Sequence, residues 1–154
     1  MMFGAIDKFQ EAVREYYAQR KRVLPWRQPD DQGVFDPYHI LVSEVMLQQT
    51  QVSRAIPKYQ DFLKLFPTLE ALAQASLADV LKAWQGLGYN RRANYLHEAA
   101  KQLVTLTTPW KFGDLVACIV IGPNTASAVV LCSYTQPLTL LATNIRTVTF
   151  HHFF

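Results

Sequence analysis

The chain is most constrained by the stretch Asp36-Pro37-Tyr38-His39-Ile40-Leu41-Val42-Ser43-Glu44-Val45-Met46-Leu47-Gln48-Gln49-Thr50. Asp36 before Pro37 is a helix start, because a carboxylate can cap the first free N–H groups and proline gives up no hydrogen bond at the first helical position. Ile40, Leu41, Val42, Val45, Met46 and Leu47 leave almost no polar face, so the helix they form is expected to be buried nearly all round. Glu44 lies in its middle. Burial disfavours an ionised carboxylate, so the expected shift is toward a proton held at neutral pH. The helix alone leaves two readings: a core glutamate satisfied by a hydrogen bond, or a general acid mounted on a central helix.

A length of 154 residues gives room for one domain with a real core, or for part of a larger one. Half of the residues are hydrophobic and 12% are aromatic, which argues against disorder. A net charge of +3 permits a polyanionic partner without requiring one. Cys118 and Cys132 are too few and too far apart for a zinc or iron–sulfur ligand set, so no metal is expected. No signal peptide heads the chain and no apolar run reaches membrane-spanning length. The expectation is a cytoplasmic protein with no membrane partner.

Taken in order, the rest reads as helices. Ile6, Phe9, Val13, Tyr16 and Tyr17 have the spacing of an amphipathic helix over 5–20, ending in the basic run Arg20-Lys21-Arg22. An irregular Leu24-Pro25-Trp26-Arg27 and a loop over 28–35 follow. Thr50 is placed to cap a helix reaching about Phe66, and Thr68 and Ser76 to cap short helices over 69–75 and 77–85. Gly86-Leu87-Gly88-Tyr89 is a turn before a helix over about 90–106. Shorter helices are expected over Phe112 to Cys118 and Asn124 to Ser133, with a last one from Asn144. No strand alternation or repeat interrupts the pattern. The fold class is all-α.

Three other stretches can carry chemistry, and each also has a plain structural reading. Ile121-Gly122-Pro123-Asn124-Thr125-Ala126 sets a glycine turn at a helix N-terminus, where N–H groups and the dipole favour an anion; most such turns are only turns. Tyr89-Asn90-Arg91-Arg92 offers an aromatic wedge beside phosphate-binding arginines, or a solvated basic helix start. Trp26 is either a stacking wall for a base or a core residue.

Together these stretches resemble one family. Leu24-Pro25-Trp26-Arg27, then Ser43-Glu44-Val45-Met46-Leu47-Gln48-Gln49-Thr50-Gln51-Val52, then Trp84-Gln85-Gly86-Leu87-Gly88-Tyr89-Asn90-Arg91-Arg92-Ala93 are similar to MutY-type adenine DNA glycosylases. These belong to the helix-hairpin-helix superfamily that also contains endonuclease III. The resemblance runs from about residue 8 to the end. It implies a single helical glycosylase-like barrel domain over 1–154, with the hairpin at about 112–133 and a last helix cut short, as in a C-terminally truncated member. It also implies base-excision repair: double-stranded DNA as partner, a flipped adenine, and hydrolysis of its N-glycosidic bond opposite oxidised guanine or guanine.

Residue by residue, the resemblance makes Glu44 the general acid that protonates a ring nitrogen of the extruded adenine. Arg22, Trp26 and Leu47 fall where the family lines the adenine pocket. Gln49, Thr50 and Tyr89 match residues that fill the duplex once the base has left it. Gly122 and the N–H groups after it, with Thr125, match the hairpin that grips the DNA backbone. An endonuclease III-like lyase needs an amine nucleophile, and the position before Thr125 is Asn124 rather than lysine.

Two departures stand out. Ala142 occupies the position, two before Asn144, where the family carries an acidic residue; losing a carboxylate that stabilises the cationic sugar removes about 3 kcal/mol of electrostatic help. Val120 stands where the hairpin usually has glycine, and a β-branched residue resists φ > 0. The four-cysteine iron–sulfur segment of many members is absent, so no cofactor is expected. Two function classes stay open: an adenine glycosylase, intact or weakened, and a DNA-binding fragment that no longer turns over. Finally, Ile145, Val148, Phe150, Phe153 and Phe154 form an apolar set on the last helix, which suggests self-association.

Overall fold

The computed structural model describes residues 2–118, 120–134, 136–140 and 142–153, apart from the side chains of Met2, Phe3 and Ala5. The described residues form helices joined by short loops. They are α1 (Met2–Arg20), α2 (Pro37–Leu47), α3 (Val52–Leu65), α4 (Leu69–Gln74), α5 (Leu77–Ala83), α6 (Arg91–Leu103), α7 (Phe112–Ala117), α8 (Pro123–Tyr134) and α9 (Thr143–Phe153), with a 3-10 turn at Pro25–Arg27. The fold is all-α.

Helix α2 is the axis. The Asp36 carboxylate accepts from the Tyr38 N–H at 2.8 Å, so the predicted cap forms and the helix starts where the sequence places it. Leu41, Val42 and Met46 are completely buried. α2 packs against α8, α3, α6 and the 3-10 turn, which accounts for its apolar circumference. Two of its polar side chains are hydrogen-bonded: Ser43 Oγ donates to the Ile40 carbonyl at 2.8 Å, and Tyr38 Oη donates to the Phe66 carbonyl at 2.7 Å. α6 forms the second hub, with α4 and α5 laid against it. His97 on α6 meets the Ala75 carbonyl at 3.0 Å and ties the two short helices to that hub.

Thr68 and Ser76 cap α4 and α5 as expected, accepting from the Ala71 and Asp79 N–H groups. Thr50 does not cap α3. The N-cap is Gln51, without a side-chain bond, because the Thr50 hydroxyl is engaged by Arg92. α6 ends at Leu103 rather than near 106; Val104, Thr105 and Leu106 make a turn instead, where β-branched residues lead into Pro109.

The terminal helices depart from the compact centre. On α1, Val13, Tyr16 and Tyr17 are half or more exposed, so the predicted amphipathic face is not covered. α1 meets α9 through Phe9, whose ring lies 5.5 Å from His152 and 5.3 Å edge-on from Phe153. α9 has no buried residue, and Ile145, Val148 and Phe150 are exposed. Phe154 lies outside the described residues.

Candidate active site and nucleic-acid interface

Glu44 is half-buried on α2 between fully enclosed neighbours. Burial pushes its carboxyl above the ordinary 4.5, and the guanidinium of Arg27 draws it partly back. Cys132 on α8 feels the same two charges, and burial raises its thiol. Glu44, Arg27 and Cys132 therefore share one place, where α2 meets α8 and the 3-10 turn. No hydrogen bond reaches the Glu44 carboxylate among the described residues, so the reading of a hydrogen-bonded core glutamate finds no partner there. Burial favours the protonated form of this carboxyl, and no hydrogen bond among the described residues occupies it.

The 3-10 turn sorts its own side chains. Trp26 points inward, 4% exposed, with its ring edge-on to Tyr59 at 5.2 Å. It is a core residue, and the stacking-wall alternative is not what this geometry presents. Arg27, next in the chain, is exposed and reaches the field of Glu44. Leu47 is half-buried and packs on the core. Arg22 is exposed and lines a shallow depression with Tyr16, Tyr17, Arg20, Lys21 and Arg27. Clustered cations beside aromatic rings suit a polyanion.

A second surface lies at the end of α2. Gln49 and Tyr89 have φ of 56° and 50°, the positive-φ non-glycine residues among those described. Such conformations persist only where the surroundings over-determine them, and they concentrate at functional sites. Gly86 and Gly88, with φ of 92° and 73°, are needed in the turn that delivers Tyr89. Both strained residues line an open depression of roughly 770 Å³ with Asn90, Arg91 and Tyr95, and Tyr89 is 66% exposed. Tyr95 was not picked out from the sequence; its signal is its place four residues after Arg91, on the same face of α6. A further depression of similar size, walled by Asp36, His39, Glu70 and Trp110, does not include Glu44 and carries the wrong charge for a phosphate.

Arg92 is not a phosphate ligand. It is 8% exposed, and its two terminal nitrogens donate to six oxygens: the carbonyls of Val45, Met46 and Gln48, the Thr50 hydroxyl, and the carbonyls of Leu87 and Gly88. The pairing of two arginines as a basic helix start dissolves: Arg91 faces solvent, Arg92 the interior.

At the hairpin, the Gly122 carbonyl accepts from the Ala126 N–H at 3.0 Å, and Pro123 opens α8. Gly122 and Asn124 are exposed, whereas Thr125 is 8% exposed and faces a small cavity shared with Val120, Tyr95 and Arg92. Val120 is half-buried and packs against the core, and its backbone conformation turns on Ile119, which lies outside the described residues. Ala142 is half-buried just before α9, its carbonyl accepting from the Arg146 N–H at 3.0 Å. Neither cysteine is in a disulfide, and no group of three or more His, Cys, Asp or Glu able to hold a metal lies among the described residues. With two cysteines, the chain does not fit a four-thiolate cluster. No described helix is long and apolar enough to cross a membrane.

Residues 42–154 match the family described as HhH-GPD superfamily base excision DNA repair protein. The adenine DNA glycosylase of Mycobacterium tuberculosis (strain CDC 1551 / Oshkosh) is 43% identical over 136 residues, covering 86% of this chain and 43% of that protein. The Homo sapiens adenine DNA glycosylase is 43% identical over 102 residues, or 64% of this chain and 19% of that protein. The chain thus spans less than half the length of these curated relatives. Among solved structures, a thermostable thymine-DNA glycosylase superposes with a TM-score of 0.85 at 20% identity, covering 96% of this chain and 68% of that one. Endonuclease III in a non-covalent DNA complex gives 0.72 at 14%, covering 93% and 66%. At these identities the likeness is one of fold.

The raised carboxyl has a consequence for stability. The folded chain holds the Glu44 proton more tightly than the unfolded chain does. Below the ordinary 4.5 both states are protonated and nothing is lost; as pH rises toward the folded value, the unfolded chain ionises first and stability falls. Glu44→Gln removes that titration. Its melting temperature is expected to match the parent's near pH ~4 and to exceed it at neutrality, read by thermal melts across pH. A parent more stable than the glutamine variant at neutral pH would show that the carboxylate is held as an anion instead.

Proposed function

The chain belongs to the HhH-GPD superfamily of base excision DNA repair proteins, and on that footing we propose that it is a monofunctional adenine DNA glycosylase, acting as a single helical unit on adenine mispaired with oxidised guanine or guanine. One observation carries the mechanism: an acid on the most enclosed helix, raised by burial and free of hydrogen-bond partners among the described residues. Glu44 donates its proton to a ring nitrogen of the extruded adenine. The bond from the sugar to the base breaks, its electron pair leaves with the adenine, and an oxocarbenium-like sugar forms. Water adds to that sugar carbon, and its proton returns to the Glu44 carboxylate. Arg27, the nearest cation, stabilises the carboxylate between those two steps. Gln49 and Tyr89 fill the space the base vacates. Asn124 offers no amine for a Schiff base, which favours hydrolysis over lyase chemistry.

Ala142 supports a second reading, a DNA-binding protein with weakened turnover, because no carboxylate stands there to face the cationic sugar. Single-turnover excision on a duplex carrying adenine opposite 8-oxoguanine separates the two, scored per bound complex. Ala142→Asp is expected to raise excision by about 10²-fold, the scale of one preorganised electrostatic partner. Adding Glu44→Gln should abolish the gain. Substrate bound tightly but excised no faster after Ala142→Asp would remove Ala142 from the account.

Duplex binding is expected to weaken steeply with salt, through Arg20, Lys21, Arg22, Arg27 and Arg91, all exposed. Arg91→Ala should lower the slope of log affinity against log salt by about 0.9, one phosphate contact. A slope unchanged by that substitution would place Arg91 off the backbone.

We also propose that a second copy of the chain covers α9, where Ile145 and Val148 are exposed and no described residue is buried. Sedimentation over a concentration series should show self-association that Val148→Lys weakens. A monomer at all concentrations would overturn this.

A further inference from the structure

Arg92 stands between the helix that carries Glu44 and the turn that carries Tyr89. Its Nη1 donates to the carbonyls of Val45 and Met46, both at 3.0 Å, and to that of Gln48. Its Nη2 donates to Thr50 Oγ1 at 3.2 Å and to the carbonyls of Leu87 and Gly88, both at 3.3 Å. The pattern is specific about two residues. Gln49 is bracketed by the Gln48 carbonyl and the Thr50 hydroxyl, both on Arg92. Tyr89 follows the Gly88 carbonyl directly and has its ring 5.6 Å from the guanidinium carbon. Gln49 and Tyr89 are also the positive-φ non-glycine residues. A peptide unit is rigid, so holding the carbonyl of one residue fixes the plane from which the next residue starts. One guanidinium thus reaches both planes that lead into left-handed backbone, in segments about forty residues apart, and shares the Gly88 carbonyl with the Trp84 Nε1–H, which donates to it at 3.2 Å.

We propose that Arg92 is a positioning residue that locks Gln49 and Tyr89 in their left-handed conformations as one unit, so that both side chains enter the duplex as a preformed wedge in register with Glu44. The use of the wedge rests on the glycosylase reading; the lock itself does not. A planar fork with several donors can bridge the two segments, whereas a lysine ammonium, a single point, cannot span acceptors on both sides. Wedge and acid are then coupled, because Val45 and Met46, held by the same nitrogen, flank the turn of α2 that carries Glu44.

Hydrogen exchange in the free protein tests the lock. The amides of Thr50 and Leu87 are hydrogen-bonded to the Leu47 and Trp84 carbonyls and report on the two segments. In the parent chain they should open together, with protection within about twofold of each other across low denaturant concentrations. In Arg92→Lys both should lose about tenfold or more in protection, while the Leu72 amide on α4 keeps its own. Unequal openings in the parent overturn the lock, as does a lysine variant that loses only one segment or neither. Should Arg92→Lys fail to fold, the shared opening in the parent decides alone.

The wedge is tested on a duplex with 2-aminopurine opposite 8-oxoguanine, at saturating protein. Parent binding should raise the fluorescence of the extruded base, and Arg92→Lys, bound to the same extent, should show about a tenth of that rise. A full rise in the lysine variant overturns the wedge. No rise in the parent itself counts against the glycosylase reading, and the exchange result still decides the lock.

Discussion

The Arg92 guanidinium answers a problem that every helix end poses. The last carbonyls of a helix have no N–H partner within it and carry the negative end of its dipole. On α2 the Val45 and Met46 carbonyls lie buried among neighbouring helices, although Gln48 and Gln49 beyond them are exposed. Arg92 comes from α6 with a buried cation, donates to Val45 and Met46 at 3.0 Å, and stacks between Trp84 and Tyr89 with its guanidinium carbon 5.6 Å from each ring. Without it the Val45 and Met46 carbonyls would lose a donor and the turn at 86–89 would lose its link to α2, keeping only the bonds from Arg54 to the Gly86 carbonyl and from Trp84 Nε1 to the Gly88 carbonyl. Burial draws the guanidinium down from its ordinary value, yet arginine keeps its charge over the range where proteins fold.

Glu44 is the second consequence of enclosing α2. A helix that serves as the axis of a bundle has apolar neighbours on most sides, and the half-buried Glu44 loses part of its water there. The protein tempers this with one exposed cation, Arg27, rather than with hydrogen bonds. A hydrogen-bonded carboxylate would have been stabilised as an anion and made a poor acid. The same physics that costs stability at neutral pH makes the proton available for transfer. Cys132 stands beside it from α8, its thiol raised by the same burial.

The two surfaces beside this centre differ in how they are built. The depression holding Gln49, Tyr89, Asn90, Arg91 and Tyr95 depends on strained backbone held from beneath. The basic patch of Arg20, Lys21, Arg22 and Arg27 depends only on charge at the end of α1. Strained backbone suits a wedge that must keep its shape against stacked bases, and mobile cations suit a partner of uniform negative charge. α1 and α9 lie away from the core and keep apolar residues exposed, so their amphipathic patterns describe a face without saying what lies against it.

Much of the architecture was legible in the sequence because it is local. Asp36, Thr68 and Ser76 cap helices through bonds to N–H groups two or three residues on, and the apolar run of α2 announces its burial by composition alone. Glu44 stood out for the same reason, as an acid in the middle of a largely apolar helix. What the sequence could not tell is set by partners far away along the chain. Arg92 reads as a second surface arginine until the acceptors 42 to 47 residues before it come within reach. Thr50 reads as a helix cap until that arginine takes its hydroxyl. Trp26 and Arg27 are adjacent in sequence, and only the packing of Tyr59 against one and of α2 beside the other sends them to opposite fates. Gln49 and Tyr89 adopt left-handed backbone where Arg92 holds the peptides before them. Caps and periodicity are short-range forces that the sequence determines by itself; strain and buried charge exist only once the tertiary structure supplies what opposes them.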